Sequence, residues 1–448
     1  MTRGDASLLT LAASLALLAG ASAPALGQTK PRSSANQGVT PMDEIDLGTP
    51  LPAHMSFQPP ENPEDRVPFI HDSRFGAQLR SFYLKQDKFN GTTSEAWTLG
   101  GALAYQSGFL ADLLRLGAVA YTSQPVYAPK SRDGTGLLET GQSGYSALGQ
   151  LFAEARFSDQ LTGALGRKEY STPYINGNDS RMSPNTFEGL SVYGRTGGRE
   201  GAGEWRYGGG YVTKIKPRNS DEFTWMSKAA GAGVNRGVYA AAANFASSRY
   251  SIGASVYHSP DILDIAYAEG KYRLPLGGQR ELRAGAQFTN QRSTGENLLT
   301  GRPFSTHQAG VKGDLDLGAP MLTLAYTASA SGAELRNPWS SYPGYTDVQV
   351  EAFNRAREKA VLARAEYDFS LLGAPGLVAY ALYVRGNGVK APSFNQDETD
   401  LNLMWAPKDG GFRGWSVRLR YAYVKQRGGG DPNINDIRVI VNYDFPER

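Results

Sequence analysis

From Phe69 to the end of the chain, apolar and polar residues alternate in segments separated by turn-forming residues. In one segment Trp97, Leu99 and Leu103 share an apolar face, and the residues between them are small or polar. Successive side chains of an extended strand point to opposite faces, so this period of two indicates strands with one apolar and one polar face. The pattern predicts an all-β fold.

About eighteen such segments follow one another along the chain. They are centred near residues 81, 102, 117, 153, 164, 191, 208, 241, 253, 267, 285, 311, 325, 365, 380, 401, 420 and 441. Glycine accounts for 53 of the 448 residues, and the 24 tyrosines outnumber the 18 phenylalanines, a composition suited to strands and tight turns. Outside the first 27 residues the chain has no apolar run long enough for a transmembrane helix.

Alternation alone does not decide which face is buried. A soluble β-sandwich buries its apolar face, whereas a membrane barrel turns it toward lipid and keeps polar residues in its lumen. Three features favour the barrel: strands of about nine to eleven residues, aromatic residues near strand ends, and long loops that alternate with short turns. The prediction is a transmembrane antiparallel β-barrel of about 18 strands, wide enough to enclose an aqueous channel.

The first 27 residues are typical of a signal peptide, with Arg3 before an apolar stretch and small residues up to Gly27. Cleavage after Gly27 is the prediction; cleavage after Ala23 and an uncleaved anchor are the alternatives. Residues 28–68 are rich in Pro, Ser, Asn and acidic residues and predict an irregular N-terminal extension, either a solvated tail or a partner-binding segment. Residues 69–448 form the predicted barrel domain.

Composition also limits the chemistry. The chain has no cysteine, 46 basic and 43 acidic residues, and a net charge of +3, so no nucleic-acid partner is expected. The four histidines show no metal-binding spacing, and no nucleophile elbow or phosphate-binding loop is present. We therefore expect no metal, no cofactor and no enzyme activity. A barrel-embedded hydrolase using His258 or His307 and a nonconducting adhesin or structural barrel remain the alternatives.

Two segments, residues 168–188 and 333–359, are too long to be turns. Each is expected either to fold into the lumen and narrow it or to form an extracellular loop. The second contains a predicted short helix, about 348–359, with Asp347 as its N-cap and Val350, Phe353 and Arg357 on adjacent turns.

Four stretches of the sequence resemble the OprD-type porins, also called outer-membrane carboxylate channels. They are GAQLRSFY, NDSRMSPNTFEG, NPWSSYPGYTDVQVEAFNRAREKAVLARAEYDFSLLGAPGL and DETDLNLMWAPKDGGFRGWSVRLRYAYVKQR, within a resemblance that spans about Phe75 to Phe445. The resemblance implies an 18-stranded barrel, inward-folded constriction loops that form a narrow eyelet, and a ladder of basic residues that guides small carboxylates.

The resemblance places Arg80, Arg418 and Arg420 at basic-ladder positions, and Arg438 on the neighbouring strand adds a further step. Arg418 and Arg420 are two residues apart, so on a strand they share a face at about 6.5–7 Å. A guanidinium grips a carboxylate with two parallel hydrogen bonds and keeps its charge. The alternative is that these arginines pair with lumenal carboxylates such as those of Asp444 or Glu366.

In NDSRMSPNTFEG, the residues Asp179, Arg181, Ser183 and Pro184 match the constriction-loop pattern, and Tyr174 lies nearby. By resemblance, the backbone of this loop and Ser183 form the polar side of the eyelet, and Tyr174 presents a hydroxyl group. The alternative for Asp179 and Pro184 is turn chemistry that shapes the loop.

The resulting hypothesis is an outer-membrane porin for passive diffusion of small carboxylate-bearing solutes. Its expected partners are those solutes, outer-membrane lipid and the barrel-assembly machinery, and the expected state is a monomer or a weak homo-oligomer. Two departures from the family limit the carry-over. Asn402 and Met404 stand where some relatives place further charged residues, and the chain ends in Pro446, Glu447 and Arg448 rather than in an aromatic residue.

Overall fold

The structure, a computed structural model, describes residues 68–197, 203–278 and 280–445. The signal peptide predicted for residues 1–27, nearly all of the predicted extension 28–68, and the last three residues lie outside the described residues. Those assignments therefore stay predictions.

The described residues form a nearly all-β structure. Its strands are β1 (Arg74–Asp87), β2 (Thr93–Gln106), β3 (Leu114–Tyr127), β4 (Tyr145–Ser158), β5 (Leu161–Lys168), β6 (Thr186–Gly197), β7 (Glu204–Lys216), β8 (Thr224–Trp225), β9 (Val238–Ala246), β10 (Tyr250–Ser259), β11 (Leu263–Gly277), β12 (Arg280–Ser293), β13 (Ser305–Asp316), β14 (Pro320–Ser329), β15 (Lys359–Asp368), β16 (Leu377–Asn387), β17 (Asn395–Trp405), β18 (Trp415–Arg427) and β19 (Asn433–Asp444). The helices are α1 (Pro68–His71) and α2 (Met226–Ala229), with 3-10 turns at Lys130–Arg132 and Phe369–Leu372. Among the described residues, no helix is long and apolar enough to cross a membrane.

The sheet closes on itself. Each strand pairs antiparallel with the next, and β1 pairs with β19 over ten residue pairs. The two-residue strand β8 lies beside the end of β7, and β7 pairs directly with β9, so eighteen strands form the wall. This confirms the predicted barrel, and each of the eighteen predicted centres lies within one wall strand. The strands of the wall are between 8 residues long, in β5, and 15 residues long, in β11, so several of them are longer than the predicted nine to eleven residues.

Burial in this barrel is the reverse of that in a water-soluble protein. Leu103 and Leu324 are 67% and 66% exposed on the outer face, while Arg420 and Arg438 are 4% and 3% exposed on the inner face. Large apolar side chains are normally buried and arginine is rarely so. The outer face is therefore built to contact lipid, and the inner face encloses the charged residues.

The two ends of the barrel differ. At one end, called here the long-loop end, the connections include residues 128–144, 169–185, 217–237, 294–304 and 330–358. At the other, the short-turn end, they include residues 159–160, 247–249 and 317–319. Bacterial barrels carry short periplasmic turns and longer extracellular loops, so the long-loop end corresponds to the extracellular side.

Two of the long connections fold into the barrel: loop A (residues 169–185) and loop B (residues 330–358). Their aromatic side chains Tyr174, Trp339, Tyr342 and Phe353 are at most 1% exposed. Tyr174 packs edge-on against Tyr342, so the two loops meet inside the lumen. Packing of these rings fixes both loops against the inner wall.

The helix predicted for residues 348–359 is wrong. Loop B is irregular there, Phe353 and Arg357 have φ values of 49° and 68°, and β15 already begins at Lys359. The N–H groups of Val350 and Glu351 donate to the carboxylate of Glu398 on β17 rather than to helical carbonyls. A side-chain acceptor on the barrel wall therefore replaces the helix.

The lipid-facing position of the outer leucine side chains can be tested by placing a charge at two depths in the membrane. We expect Leu324→Arg, in the middle of β14, to lower the free energy of unfolding by about 2–4 kcal/mol in phospholipid vesicles. The control, Leu276→Arg, lies on the outer face near the short-turn end of β11, where a charge reaches water and costs about 0–1 kcal/mol. Urea unfolding measures both variants. Equal losses at the two depths would contradict a lipid-facing exterior.

Candidate functional site

The lumen below loop B contains a cavity with an empty volume of about 1760 Å³, measured to where it opens to solvent. Its lining includes side chains from β11 to β18 and from loop B. The cations that line it are Lys271, Arg273, Arg283, Lys312, Arg364 and Arg420, and the carboxylates are Glu269, Asp314, Asp347 and Asp400. The site is therefore a charged passage in which basic groups outnumber acidic ones.

Arg420 is the least paired of the predicted ladder residues. It stands directly opposite Arg438 in the register of β18 and β19, and both point into the lumen. Among the described residues, neither Nε nor Nη2 of Arg420 has a hydrogen-bond partner. Like charges directly opposite destabilise a sheet, and buried unsatisfied donors carry a free-energy cost. An anion or a water molecule in the cavity would reduce both the repulsion between the two guanidinium groups and the cost of the unsatisfied donors.

Arg438, by contrast, is held by its own strand. Its Nε donates to Asp436 Oδ1 at 2.7 Å, and its Nη2 donates to Asp436 Oδ2 and to the Gln349 carbonyl, each at 3.1 Å. Gln349 returns the contact by donating through Nε2 to Asp436 Oδ1 at 2.7 Å. The Arg438–Asp436 pair on β19 therefore attaches loop B to the barrel wall.

Arg418 lies one step along from Arg420 on the same face. Its Nε donates to Asn402 Oδ1 at 2.6 Å on the neighbouring strand β17. Asn402, a departure from the family pattern, thus supports a ladder residue without neutralising its charge. The carboxylates suggested as alternative partners are engaged elsewhere, Asp444 by Gln78 and Glu366 by Arg364.

Arg80 and Asp179, placed by the sequence in the ladder and in the constriction loop, bind each other. Arg80 Nη1 and Nη2 donate to Asp179 Oδ1 and Oδ2 at 2.6 and 2.8 Å, and Nη1 also donates to the Arg181 carbonyl at 2.7 Å. Its Nε donates to Asn442 Oδ1 at 2.9 Å. All three guanidinium nitrogens are therefore used, and Arg80 fastens loop A to β1.

Arg181 points from loop A toward the neighbouring loops. Its Nε donates to the Thr135 carbonyl at 2.9 Å and its Nη1 to the Ser180 carbonyl at 2.8 Å. Burial, and then the positive charges of Arg438 and Arg218, lower the pKa of Arg181 well below its usual value. Loop A therefore places a third guanidinium close to those of Arg438 and Arg218.

The other predicted residues of loop A are enclosed by protein. Ser183 shares a hydrogen bond of 2.9 Å with the Tyr145 hydroxyl and accepts from Lys216 Nζ at 3.2 Å, and Pro184 is buried beside it. Tyr174 donates to Thr289 Oγ1 at 3.2 Å, and burial raises the pKa of its hydroxyl. These three side chains hold the loop in place, and the Tyr174 hydroxyl does not reach open lumen.

Loop B is fixed by two acidic residues that sequence reasoning missed. Glu398 accepts from the Val350 and Glu351 N–H groups at 2.8 Å each, and Asp400 accepts from the Gln349 N–H at 3.1 Å. Both belong to the inward face of β17, which the alternation of DETDLNLMW predicts. The alternation predicts that Glu398 and Asp400 lie on the inward face of β17, but not that they bind the backbone of loop B.

A half-buried carboxyl belongs to the first residue of loop A. Glu169 directly follows β5, and a Cβ added at Gly177 would meet its Oε1 at 2.0 Å, so the carboxyl packs on the loop backbone. Burial, and then the negative charge of Asp179, raise the pKa of Glu169 to about 8, against the opposing charges of Arg80 and Lys216. At neutral pH most of this carboxyl is therefore protonated.

The histidines of the hydrolase alternative lie on the outer face. His258 Nδ1 is 2.6 Å from Asp264 Oδ1, and the His307 ring packs 5.8 Å from that of Phe288, whose side chain is exposed outside the barrel. They are therefore separated from the lumen by the wall.

An antiparallel barrel of eighteen strands, with an apolar exterior, a charged lumen and two loops folded inside, has the architecture of an outer-membrane porin. The profile of a family described as outer membrane porin, OprD family, matches residues 67–446. The chain therefore belongs to the OprD family of outer-membrane porins, which are channels rather than enzymes.

Individual relatives agree with this assignment. The porin-like protein GalP of Pseudomonas putida is 24% identical over 406 residues, which cover 84% of this chain and 92% of GalP. The crystal structure of Pseudomonas aeruginosa OccK9 (OpdG) has a TM-score of 0.76 at 23% identity, covering 84% of this chain and 99% of that one. Pseudomonas aeruginosa OpdK, solved with vanillate, has a TM-score of 0.72 at 21% identity, with coverage of 84% and 99%.

The bidentate pair between Arg80 and Asp179 should couple loop A to the wall. In a double-mutant cycle of Arg80→Ala and Asp179→Ala, we expect a coupling free energy of about 1–2 kcal/mol in urea unfolding. Each single variant should also widen the fluctuations of the single-channel current, because loop A is released. The control, Asn442→Ala, removes one Arg80 contact and leaves loop A attached. A coupling free energy near zero would show that the pair does not hold the loop.

The raised pKa of Glu169 sets a pH dependence of stability. An unfolded glutamate has a pKa of about 4.3, so between about pH 4.3 and 8 the folded state binds more protons than the unfolded state. Stability should therefore fall as pH rises through this window and level off above it. Glu169→Gln should remove this part of the pH dependence, while Glu334→Gln, at an exposed carboxylate, should leave it. Urea midpoints at pH 5, 7 and 9 measure the difference.

Proposed function

We propose that this porin mediates passive diffusion of small carboxylate-bearing solutes across the outer membrane, guided by Arg418 and Arg420. The flux follows the concentration gradient, with no covalent step and no cofactor. The site supplies two things: a passage limited by loops A and B, and basic groups along one wall.

The observation that carries this proposal is the state of Arg420. Its guanidinium lines the cavity, and two of its three nitrogens have no hydrogen-bond partner among the described residues. A planar guanidinium with free N–H groups is matched to a carboxylate. A solute that carries a carboxylate would satisfy these donors as it passes.

The four ladder arginines divide into two roles under this proposal. Arg80 and Arg438 already hold carboxylates of the protein, Asp179 and Asp436, so they position loops A and B. Arg420 keeps donors with no hydrogen-bond partner among the described residues, and Arg418 beside it is held by the amide oxygen of Asn402. A channel needs modest attraction at successive steps, because a solute that binds too tightly does not leave.

The predicted constriction residues act through the loop they belong to. Asp179 is anchored by Arg80, Arg181 by backbone carbonyls, and Ser183 by Tyr145 and Lys216. We assign to them, and to Pro184 and Tyr174, the shaping of the eyelet rather than contact with the solute. Loop A then limits the width of the passage while the arginines on β18 supply its charge preference.

A relative supports the class of solute. OpdK was solved with vanillate, an aromatic carboxylate. In this chain, Tyr267, Tyr345 and Tyr380 also line the cavity that Arg420 faces. Tyrosine rings beside a guanidinium offer apolar surface and hydroxyl groups to a ring that carries a carboxylate.

The proposal is tested by replacing Arg418 and Arg420 together with alanine. We expect the diffusion rate of a small carboxylate into protein-loaded liposomes to fall about fivefold or more, since each charge within about 4 Å contributes on the order of 1 kcal/mol in water. The rate for the uncharged amide of the same solute should change little. Liposome swelling measures both rates.

The matched control is Arg385→Ala with Lys425→Ala, which removes the same charge from the outer face of β16 and β18. It should leave both diffusion rates unchanged. If the Arg418/Arg420 variant slows the carboxylate and the amide equally, the arginines do not select by charge and the proposal fails.

A further inference from the structure

The outer face of the long-loop end carries two triplets of charged residues on neighbouring strands. In the first triplet Glu188 on β6 is in register with Arg167 on β5 and with Lys214 on β7. Arg167 Nε lies 3.2 Å from one Glu188 oxygen, and Lys214 Nζ lies 3.2 Å from the other. Each carboxylate oxygen thus aligns one cation at the level where the apolar exterior ends.

The second triplet has the same form four wall strands further on. Asp264 on β11 is in register with His258 on β10 and with Arg292 on β12. His258 Nδ1 lies 2.6 Å from Asp264 Oδ1, and Arg292 donates through Nε and Nη2 to Asp264 Oδ2 at 3.0 Å each. Both triplets are partly exposed on the outer face.

Two tyrosines connect the triplets. The rings of Tyr211 on β7 and Tyr239 on β9 are 4.5 Å apart, and the Tyr239 ring stacks on His258 at 6.3 Å. His258 is in register with Tyr239, which is in register with Tyr211, three residues before Lys214 on β7. Charged and aromatic groups therefore form one continuous patch, called here the outer patch, from β5 to β12.

The outer patch keeps unused hydrogen-bond donors. Arg167 contacts Glu188 through Nε, which leaves its two Nη groups free of hydrogen bonds to the described residues, and its guanidinium lies 4.3 Å from the centre of the Phe223 ring. The three permanent cations, Arg167, Lys214 and Arg292, exceed the two carboxylates, Glu188 and Asp264. The spare donors and the net positive charge suit phosphate groups.

Below the outer patch, toward the middle of the membrane, the outer surface is made of small residues. Gly209 on β7 is in register with Ala241 on β9, and Ala243 on β9 is in register with Ala254 on β10. Ala254 is in register with Ala268 on β11, and large exposed side chains border the strip on its two sides, Leu190 on β6 and Phe288 on β12. The strip forms a shallow groove that a hydrocarbon chain can enter.

We propose that the outer patch and the groove bind one lipid of the extracellular leaflet whose headgroup carries phosphate. The phosphates contact Arg167, Lys214 and Arg292, and an acyl chain lies on the groove. Clusters of Lys and Arg beside a membrane attract anionic lipid headgroups, and here the groove supplies apolar contact below the charge. This site is separate from the lumen, so it does not depend on which solute the channel carries.

The test uses purified protein folded in zwitterionic detergent and a fluorescent derivative of lipid A, a membrane lipid with two phosphate groups. We expect the triple variant R167Q/K214Q/R292Q to bind it about tenfold or more weakly. Dephosphorylated lipid A should bind weakly to the wild type and to the variant alike. Inorganic phosphate at the concentration of the lipid should not displace it; displacement would overturn the assignment to a lipid.

The matched control is R385Q/K425Q, on either side of Asp397 at the same end of the barrel. Bulky side chains, Tyr383 and Tyr421, occupy the outer surface there, so this variant should bind lipid A as the wild type does. Equal losses in the triple variant and the control would show diffuse attraction to the rim and overturn the proposal.

A second variant tests the groove without removing charge. Ala241→Leu with Ala243→Leu fills it on the lipid-facing side, where added apolar surface is compatible with folding. We expect weaker lipid binding, by about fivefold, with unchanged channel conductance. Unchanged lipid affinity would show that no acyl chain occupies the groove and would overturn the proposed binding mode.

Discussion

The pairing of β1 with β19 is the contact on which the rest of the structure depends. In the hydrocarbon region of a membrane no water is available to satisfy backbone N–H and C=O groups, so a sheet that crosses it must have no open edge. Closure gives these backbone groups hydrogen-bond partners and also divides the side chains between two environments. One face of every strand meets lipid and the other meets an enclosed aqueous space, and the two-residue alternation of the sequence follows from that division.

Closure leaves a lumen that would be wide and unselective without further structure. The protein narrows it with loops A and B, and each loop is attached by a charged group of the wall that binds loop atoms. Arg80 grips Asp179 of loop A, while Glu398 and Asp436 bind the backbone and side chains of loop B. These attachments use up the charge of Arg80 and Arg438. Under the proposed function, the arginine left for a passing solute is Arg420, whose Nε and Nη2 have no hydrogen-bond partner among the described residues.

The sequence was informative wherever one strand carried the signal by itself. Each of the eighteen strand centres could be predicted, because the alternation is local and survives in the barrel. The inward direction of Arg418 and Arg420 followed from the same pattern. The contacts between the loops and the wall could not be predicted. Arg80 and Asp179 are 99 residues apart, and nothing in the sequence of either segment indicates that the two side chains pair. The helix expected at 348–359 failed for the same reason, since the acceptor that captures its N–H groups, Glu398, lies on a distant strand.

Under the proposed function, a carboxylate, rather than any small solute, is recognised inside this barrel. The most direct measurement is the single-channel current of the mature wild-type protein in a planar bilayer, recorded while a small carboxylate or its uncharged amide is added. Carboxylate recognition predicts discrete openings interrupted by brief blocks whose frequency rises with carboxylate concentration, with few or none for the amide. Equal block frequencies for the two solutes would contradict it.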